Sequence, residues 1–420
     1  MDKDTTKSTL AEYLSPLNPV EMLREIKTLG LDRYTKKLDS ITFLQLLVFA
    51  QLQQIDSLTS MSALLNENRQ LQAELGLESI STSQLSRKLR QMDTKFPSSV
   101  FQRCVAQIVR TAGTKKATQA LKRMNLVDAS TITMCVSQYP WAEFRQTKAG
   151  VKLHLRLVFE NDLTYPDKEI LTPVKPADRT QMANLVVNEP DALNVFDRGY
   201  VDYQKFDEYI LNGTRFVTRL RDNASIMEVY EERPVAPDSP VIRDAVIRLG
   251  SKFRNMVHPT RWLEVLDSDG RRIIILTNDL TMDATEICDL YRNRWQIELF
   301  FKWIKQHLHV KKFYGKSENA VYNQLRIALI TFCLLVLLRL RVRHPGRLLD
   351  IYKCVRWHWS EPFTEFRCYL SRPPTRASTG RKKVKTEEIF AMTLQQYIDE
   401  EIEHLESMVY DPIEYPKCGI

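Results

Sequence analysis

The chain has 420 residues, with 60 Lys and Arg against 52 Asp and Glu, a net charge of +8 and a pI of about 9.0. Its 44% hydrophobic and 27% charged residues are typical of a globular protein with a sizeable core, which argues against a disordered or fibrous chain. The basic balance is compatible with a polyanionic partner but indicates one only weakly.

The cysteines and the apolar runs argue against secreted and membrane proteins. The 7 Cys residues are scattered without a CxxC pair, which favours a reducing compartment over a disulfide framework or a zinc site. Residues 1–20 are polar and mixed in charge, so no signal peptide is expected. The longest apolar run, Ile327–Leu338, is too short to span a bilayer and predicts a buried helix. We therefore expect a cytoplasmic protein with no membrane partner.

Residues 1–120 predict an all-α N-terminal domain, because apolar residues recur at helical spacing and Pro and Gly are sparse. Gly76 is a predicted helix stop, and Ser81 or Thr82 is a predicted N-cap. The next helix carries three basic residues that we expect to be exposed and that suit a DNA-binding helix-turn-helix: Arg87, Lys88 and Arg90. A plain helical bundle with a solvated basic face explains this pattern equally well.

Residues 121–220 change to a strand-rich pattern. Met124–Asp128 and Leu193–Asp197 are apolar runs that each end in a carboxylate, and Val151–Phe159 alternates as a half-buried strand does. The other predicted elements are a strand at Glu169–Val174, helices at Asp178–Val187 and Tyr203–Leu211, and a strand at Phe216–Leu220. This element order is that of the first part of a ribonuclease-H-like α/β core.

Residues 221–281 predict a β-rich insertion into that core. Its predicted strands are Ile226–Tyr230, Val241–Leu249, Trp262–Leu266 and Arg272–Thr277, with a hairpin turn at Asp267–Gly270. Residues 282–345 would complete the core with a long helix from Met282 to about His309 and a second helix at Asn319–Arg341. Residues 346–420 are a predicted tail with a basic linker at Ser371–Lys385 and an acidic helix at Glu387–Met408.

Asp128 and Asp197 are the first candidate site residues. In a ribonuclease-H-like sheet their strands are neighbours, so Asp128 would close its strand beside Asp197, and a third carboxylate would come from the late helix. Carboxylates are ligands that Mg²⁺ prefers, and three of them suit a two-metal site. Each Asp taken alone could instead form a turn or cap a helix, which is the commoner use of Asp at a strand end.

The late helix places four residues on one stripe about 60° wide, at about 100° per residue: Tyr291, Arg294, Glu298 and Lys305. An adjacent face is apolar and predicted to be buried: Ile297, Phe300, Phe301, Ile304 and Leu308. A carboxylate between cations suits a metal ligand beside a track of DNA phosphates. The alternative is a solvated face with internal ion pairs, because Arg294 and Glu298 are an ordinary i,i+4 pair.

The spacing of these four residues resembles a known signature. It is the Y-(2)-R-(3)-E-(6)-K motif of bacterial insertion-sequence DDE transposases of the YREK type, insertion sequence family four. Asp128-Ala-Ser-Thr resembles the first-Asp motif of that family, and Phe196-Asp-Arg-Gly-Tyr resembles its second. Leu31–Leu38 resembles the N-terminal domain of one branch, and the whole resemblance covers about residues 20–345.

The resemblance implies that Asp128, Asp197 and Glu298 are the DDE ligands of two Mg²⁺ ions, with Mn²⁺ able to substitute. The implied activity is cut-and-paste transposition, in which metal-dependent hydrolysis at the element's ends is followed by transfer of the 3′ ends to target DNA. The implied partners are double-stranded DNA, both terminal inverted repeats and target, and a second copy of the chain. A bacterial protein, associated with the nucleoid when it is bound to DNA, is expected.

Four residues of the late helix would contact DNA: Tyr291, Arg294 and Lys305 at phosphates, and Trp295 beside a displaced base. One position departs from the family pattern. Better-studied members carry a Trp in the β-insertion that receives a flipped base, and the matching position here is Ile273. Trp262 on the preceding strand could substitute, although we expect it in the core. The departure puts a DNA-hairpin step in doubt, whereas the metal site is unaffected.

Two other functions stay open on the sequence. A ribonuclease-H-like nuclease would share the three carboxylates but lack strand transfer, and it would not need the basic helix track or the long insertion. A silenced, transposase-derived DNA-binding protein would not need the carboxylates at all. The presence of all three carboxylates argues against that second alternative.

Overall fold

The computed structural model describes residues 7–372, apart from residues 18, 113–122, 161–162, 190, 237–238, 267–269, 309 and 311. Within these ranges the chain forms fourteen α-helices, ten β-strands and three short 3₁₀ turns. The predicted acidic helix, and the predicted basic linker beyond Arg372, lie outside the described residues.

The elements alternate along the chain as follows. The helices are α1 (Thr9–Leu14), α2 (Pro19–Leu29), α3 (Ser40–Gln53), α4 (Leu58–Glu67), α5 (Arg69–Leu75), α6 (Thr82–Gln91), α7 (Lys95–Ala112), α8 (Met182–Leu185), α9 (Tyr203–Leu211), α10 (Ala284–Arg292), α11 (Trp295–His307), α12 (Glu318–Val342), α13 (Leu348–Trp357) and α14 (Phe363–Leu370). The strands are β1 (Arg123–Cys135), β2 (Glu143–Arg145), β3 (Lys148–Glu160), β4 (Leu163–Pro173), β5 (Ala192–Phe196), β6 (Arg215–Arg219), β7 (Ile226–Arg233), β8 (Val241–Leu249), β9 (Thr260–Leu266) and β10 (Arg272–Thr277). The 3₁₀ turns are Pro140–Ala142, Asp178–Gln181 and Arg198–Tyr200.

One mixed sheet of ten strands runs through the described part of the molecule. Its order is β2-β3-β1-β5-β6-β10-β9-β8-β7, and β4 also pairs with β3. β1 is antiparallel to β3 and parallel to β5, and β6 continues parallel to β5. β10 joins β6 in the antiparallel sense, so β7–β10 extend the same sheet. The protein is therefore of the α/β class, with β1 and β5 adjacent near the middle of the sheet.

Each face of the sheet packs against its own helices. On one face, α8 and α9 cover a cluster in which the ring centroids of Phe206 and Phe216 are 4.7 Å apart and those of Phe196 and Phe206 are 5.8 Å apart. The other face packs against α11 and α12 and is continuous with the core of the N-terminal helices. Burying each such aromatic side chain stabilises the fold by about 1.5–3 kcal/mol.

α12 is the central helix of the larger core. Its run Ile327–Leu338 is buried, which confirms the prediction of a buried helix for this segment. α3 and α7 pack along it, and the Tyr13 hydroxyl donates to the carbonyl oxygen of Thr331 at 2.9 Å. Arg326 Nε lies 2.8 Å from Glu169 Oε1, which ties α12 to β4. Across the described ranges, none of the helices combines the length and hydropathy that crossing a bilayer would need.

Several predicted bounds agree with the structure. α9, β8 and β10 begin and end at the predicted residues. Gly76 follows α5 with a φ of 61°, the left-handed conformation that glycine favours at a helix end. Ser81 is the N-cap of α6, where its hydroxyl and the side chain of Gln84 form a reciprocal capping box.

Three predicted elements are wrong. Asp128 does not close its strand, because β1 continues to Cys135 with every residue from Met124 onward paired to β3. The helix from Met282 to His309 is two helices, α10 and α11, with a turn at residues 293–294. The predicted helix Asp178–Val187 is shortened to a 3₁₀ turn and α8. Asn194 accepts from Val187 N at 3.0 Å and donates to Val187 O at 2.9 Å, and these bonds take the Val187 backbone out of the helix.

Candidate active site

The register of β1 and β5 places Asp128 and Asp197 side by side. The parallel pairing ends at Val127 opposite Phe196, and the residue that follows each of them is an aspartate, Asp128 or Asp197. β1 then runs on beside β3, whereas the chain after Phe196 turns away through the 3₁₀ turn Arg198–Tyr200. The Asp197 side chain makes no capping bond at that turn, so the helix-cap alternative does not hold there. The two backbone segments separate at the aspartates, so both carboxylates lie beside the gap between them.

Glu298 reaches the same place from the first turn of α11. Arg294 Nη2 lies 2.7 Å from Glu298 Oε1, and Arg294 Nη1 lies 3.5 Å from Asp128 Oδ2. All three side chains are largely buried, at 14–18% exposure. The ion pair between Arg294 and Glu298 that the alternative interpretation expected is therefore present. It is largely buried rather than solvated, and Arg294 also contacts Asp128, which lies 166 residues earlier in the chain.

The break between α10 and α11 forms the turn that carries Arg294. Arg294 N donates to Tyr291 O at 3.0 Å and Gln296 N donates to Asn293 O at 3.0 Å, the i→i+3 pattern of a tightened helical turn. Asn293 has low helix propensity, because its side chain competes for nearby backbone groups. The single stripe expected for a continuous helix is therefore divided, with Tyr291 on α10 and Glu298 on α11.

Three carboxylates share the electrostatic influence of one guanidinium. In the described part of the chain, Asp128, Asp197 and Glu298 all lie near the guanidinium of Arg294. Burial raises the pKa of Asp128 to about 7, and Glu298 and Asp197 raise it as well, against the lowering effects of Arg294 and the Ala129 N–H. Burial also raises the pKa of Glu298, with Asp197 adding to the effect and Arg294 opposing it. The carboxylates thus destabilise each other's ionised forms.

The donor set fits a hard divalent cation. All three side chains offer carboxylate oxygens, the ligands that Mg²⁺ prefers, and Glu298 Oε1 is buried without a well-directed hydrogen bond in the described structure. Among the described residues, no three His, Cys, Asp or Glu side chains are arranged so that they could hold a metal ion together. The Arg294 guanidinium lies between Asp128 and Glu298 instead, as a monovalent counter-ion at the position where a cation is favoured.

Tyr291, Trp295 and Lys305 are placed at different distances from the carboxylates. Burial raises the pKa of Tyr291 to about 12, with Arg294 opposing the rise and Asp197 adding to it. Trp295 begins α11 and is half-buried. Lys305 is half-buried in the last turn of α11, about 10 Å along the axis from Glu298 at about 1.5 Å per residue. Tyr291 therefore joins the carboxylates, and Lys305 lies further along the helix.

Two residues at the site were missed by sequence reasoning. The Tyr200 hydroxyl is buried without a hydrogen-bond partner in the described structure, and burial followed by Asp128 raises its pKa. Arg219, the last residue of β6, is close enough to Tyr291 to lower the pKa of that phenol. The place of Tyr200, three residues after Asp197, was a signal for it, whereas nothing in the local sequence marks Arg219.

The N-terminal basic residues behave differently from one another. Arg87 and Arg90 are exposed on α6, as predicted. Lys88 is not exposed: its Nζ lies 2.6 Å from Asp32 Oδ1 and its side chain is 13% exposed, so that part of the prediction is wrong. Lys88 faces inward because Asp32, which also accepts from the Ser40 N–H at 3.0 Å, lies beneath α6.

A groove of about 740 Å³ runs between α6 and the segment that joins α2 to α3. Besides Arg87 it is lined by basic and aromatic residues that sequence reasoning did not single out: Arg33, Tyr34, Lys36 and Lys37. Tyr34 is exposed with a φ of 67°. These residues belong to the stretch Leu31–Leu38, but the local sequence does not predict that this stretch lies beside α6.

Trp262 lies in the core, as expected. It is fully buried on β9, and its Nε1 donates to Glu264 Oε1 at 2.9 Å. Ile273 is half-buried on β10 and packs against the larger core. Neither side chain can receive an extruded base without a change of packing.

Comparisons with known proteins identify the family. Residues 119–334 match the model of the transposase DDE domain, and residues 5–78 match a domain of unknown function, DUF4372. The "Probable transposase for insertion sequence element IS5377" of Geobacillus stearothermophilus is 30% identical over 266 residues, which cover 62% of this chain and 68% of that protein. A Sinorhizobium fredii protein named as a transposase, y4zB, is 36% identical over 199 residues, 46% of this chain and 55% of that protein.

A solved structure also aligns with most of the chain. The piggyBac transposase, in the cryo-EM structure of its synaptic complex with hairpin DNA, covers 91% of this chain and 89% of its own at 9% identity and a TM-score of 0.44.

The matched domain model spans about half of the chain and includes all three carboxylates. This chain belongs to the family of transposases with a DDE domain, enzymes that cut and transfer DNA strands.

Proposed function

We propose that this chain is the transposase of a bacterial insertion sequence, which cuts DNA at the ends of its element and joins the freed 3′ ends to target DNA. The observation that carries the proposal is the buried group of three carboxylates around one guanidinium, where β1, β5 and α11 meet. Excess buried negative charge is unfavourable unless cations bind to it. Family membership and the insertion-sequence relative support DNA as the substrate.

The fold of the catalytic part is proposed to be ribonuclease-H-like, interrupted by a β-rich insertion. The strand order β4-β3-β1-β5-β6, with β1, β5 and β6 parallel, supports this assignment. β7–β10 lie in the chain between β6 and α10, which is the place of the proposed insertion. The helices up to about residue 120 are the proposed DNA-binding domain. Residues from 346 onward are the proposed tail, and its first part, α13 and α14, packs into the larger core.

Asp128, Asp197 and Glu298 are the proposed ligands of two Mg²⁺ ions, with Mn²⁺ able to replace them. Such ions, when bound, activate an attacking hydroxyl and stabilise a leaving 3′ oxygen. The protein holds the ligands in place: Asp128 is fixed by β1–β3 pairing and by the Ala129 N–H, which donates to Oδ1 at 2.7 Å. Arg294 compensates the carboxylates within the buried site and lies where a scissile phosphate would approach them.

The DNA is proposed to reach the carboxylates along α11 and the N-terminal groove. Tyr291, Arg294 and Lys305 would contact phosphates, and Trp295 would stack on a displaced base, since its ring begins α11 beside Arg294. Arg87 and Arg90 on α6 would contact a more distant part of the same duplex. Two ends must be cut together, so a homodimer on DNA is proposed, acting in the bacterial cytoplasm at the nucleoid.

The test is cleavage of a linear duplex that carries the DNA flanking this gene, with Mg²⁺, Mn²⁺ or EDTA. We expect the parent chain to cut at one position on each flank with either metal and not with EDTA. Asp128→Asn, Asp197→Asn and Glu298→Gln should each abolish cutting, while Asp289→Asn, an exposed acid on α10, should cut like the parent. Cutting by all three variants at the parent's rate would refute the proposal, and cutting without joined products would favour a nuclease.

A further inference from the structure

The turn between β8 and β9 presents an aromatic side chain to solvent on a rigid support. Phe253 is fully exposed, more than any other large hydrophobic residue in the described part of the chain. It stands at the tip of a four-residue turn, in which Ser251 N donates to Arg254 O at 2.8 Å and Arg254 N donates to Ser251 O at 3.2 Å. Burying this phenyl ring would stabilise the fold by about 1.5–3 kcal/mol, so its full exposure contributes nothing to folding.

The base of this turn is fixed on both sides. Met256 N donates to Leu249 O at 2.8 Å, and the Asp207 carboxylate accepts from Val257 N at 3.0 Å and from His258 N at 2.9 Å. Gly250 has a φ of 123°, and a Cβ at that position would lie 2.3 Å from Arg254 O, so the two sides approach as closely as glycine allows. Phe253 is thus held out on a tightly closed turn.

The surface around Phe253 is basic. Lys252 and Arg254 flank it in the chain, and the Arg254 guanidinium lies 5.0 Å from the centre of the Tyr203 ring. The turn borders a groove of about 710 Å³, to which Arg179 and Lys205 also contribute, although Lys205 is paired with Glu208 at 2.6 Å. The acid lining the groove, Asp202, is engaged as the N-cap of α9. An exposed aromatic ring among cations is the combination that binds nucleic acid by stacking and phosphate contact.

The groove lies on the opposite face of the sheet from α11, where α8 and α9 pack. Two of its lining residues, Asp202 and Tyr203, follow Asp197 in the chain by five and six residues. The 3₁₀ turn Asp178–Gln181 contributes Arg179 and Thr180 to the groove. It also lies beside the turn that follows Asp197, because Asp178 Oδ2 is 3.9 Å from the position that a Cβ on Gly199 would occupy. The helices α8 and α9 on this face belong to one core, whereas α11 belongs to the other. DNA lying in this groove would therefore lie on the other face of the sheet from DNA that contacts α11.

We propose that this groove binds a second stretch of duplex DNA, and that Phe253 inserts into its base stack while Lys252 and Arg254 neutralise neighbouring phosphates. The inference rests on the proposed function, because it needs DNA at the carboxylates. Insertion of an apolar wedge unstacks a base step and kinks the duplex, which exposes the backbone to attack. The stretch is either target DNA or the host DNA that flanks the element's end, and both offer the same chemistry.

The test is permanganate footprinting of unstacked thymines, with the full-length chain and no divalent metal, so that the DNA stays uncut. One arm uses a supercoiled plasmid without the element, and the other uses the duplex carrying one flank of this gene. We expect the parent to create reactive thymines in at least one arm, which identifies the source. Phe253→Ala should abolish this reactivity and weaken binding about tenfold, as expected for loss of one stacking contact, and Phe253→Trp should keep both.

Leu211→Ala is the matched control, an apolar residue 71% exposed at the far end of α9. Both alanine variants should unfold at the parent's temperature, because neither side chain packs against the core. Equal permanganate reactivity and affinity for Phe253→Ala and the parent in both arms would overturn the inference. End cleavage with Mg²⁺ is measured on the same preparations. If Phe253→Ala matches the parent in reactivity and affinity while the parent cleaves normally, only the role of Phe253 is rejected. If the parent cleaves nothing, the proposed function is rejected.

Discussion

Two buried arginines in this molecule face carboxylates in opposite ways. Arg261, on β9, meets Asp244 on β8 through two bonds, Nε to Oδ1 at 2.9 Å and Nη2 to Oδ2 at 2.6 Å, and also donates to the carbonyl of Met282. Both side chains are at most 5% exposed. Arg294 instead divides its guanidinium between Asp128 and Glu298, with Asp197 also nearby. The Arg261 guanidinium thus forms its ion pair with one carboxylate, whereas that of Arg294 is shared between two.

The difference separates a structural charge from a functional one. A bidentate pair with matched charges satisfies the desolvation cost of its own members, so it can be buried for stability. A group with surplus carboxylates gains from anything that brings more positive charge, such as divalent cations. We therefore expect the two places to respond in opposite directions when one acid is removed.

The largest expected effect is on catalysis at the unbalanced site. Glu298→Gln removes a metal ligand with little change of shape, so end cleavage should fall at least about a thousandfold, or about 4 kcal/mol in the barrier. Stability should stay the same or rise, because a repelled buried carboxylate is replaced by a neutral amide. The measurements are cleavage rates and urea unfolding of the same preparation. A strongly destabilised Glu298→Gln would contradict the contrast, since it would make Glu298 a structural partner of Arg294.

The converse substitution is Asp244→Asn at the balanced pair. It leaves the Arg261 guanidinium buried without its counter-ion, and the free energy of unfolding should fall by about 3 kcal/mol. Cleavage per folded molecule should change less than twofold, because β8 and β9 lie at the far side of the sheet from β1. Urea unfolding gives the first quantity, and cleavage corrected for the folded fraction gives the second. A normal stability would show that the pair is dispensable.

The sequence predicted much of the fold because local patterns decide it. A β-like pattern bounded by turn residues predicted β8, and capping residues predicted the start of α6, both within a residue or two of the structure. Asp128 was placed at a strand end because the apolar run stops there, but the later half of β1 is held by pairing with β3, which the run does not report. The inward direction of Lys88 depends on Asp32, 56 residues away, and the charge imbalance at Arg294 depends on three separate elements. Such facts need distances in space.

A smaller effect should appear when a divalent metal is added without DNA. Mg²⁺ bound to the folded chain alone stabilises it by mass action, about 2.7 kcal/mol at a hundred times its Kd. The parent and Asp244→Asn should both rise in unfolding temperature with Mg²⁺, whereas Glu298→Gln should not. Thermal unfolding over a Mg²⁺ titration, with NaCl at matched ionic strength as the control, measures this. An equal rise in all three proteins would place the stabilising ion elsewhere.

The smallest effects concern two neighbours on α6 and extend the comparison to the protein surface. Arg87 is exposed in the N-terminal groove, so Arg87→Ala should weaken DNA binding a few-fold and lower the salt dependence by about one phosphate contact, with stability unchanged. Lys88 is paired with Asp32, so Lys88→Ala should reduce stability by about 1 kcal/mol and affect binding less than Arg87→Ala does. Binding titrations at several salt concentrations, with urea unfolding of each variant, separate the two. A Lys88→Ala variant that bound DNA more weakly than Arg87→Ala and kept full stability would contradict this assignment. The Lys88–Asp32 ion pair would then have to open on DNA, and a buried ion pair would not by itself show that a charged residue has only a structural role.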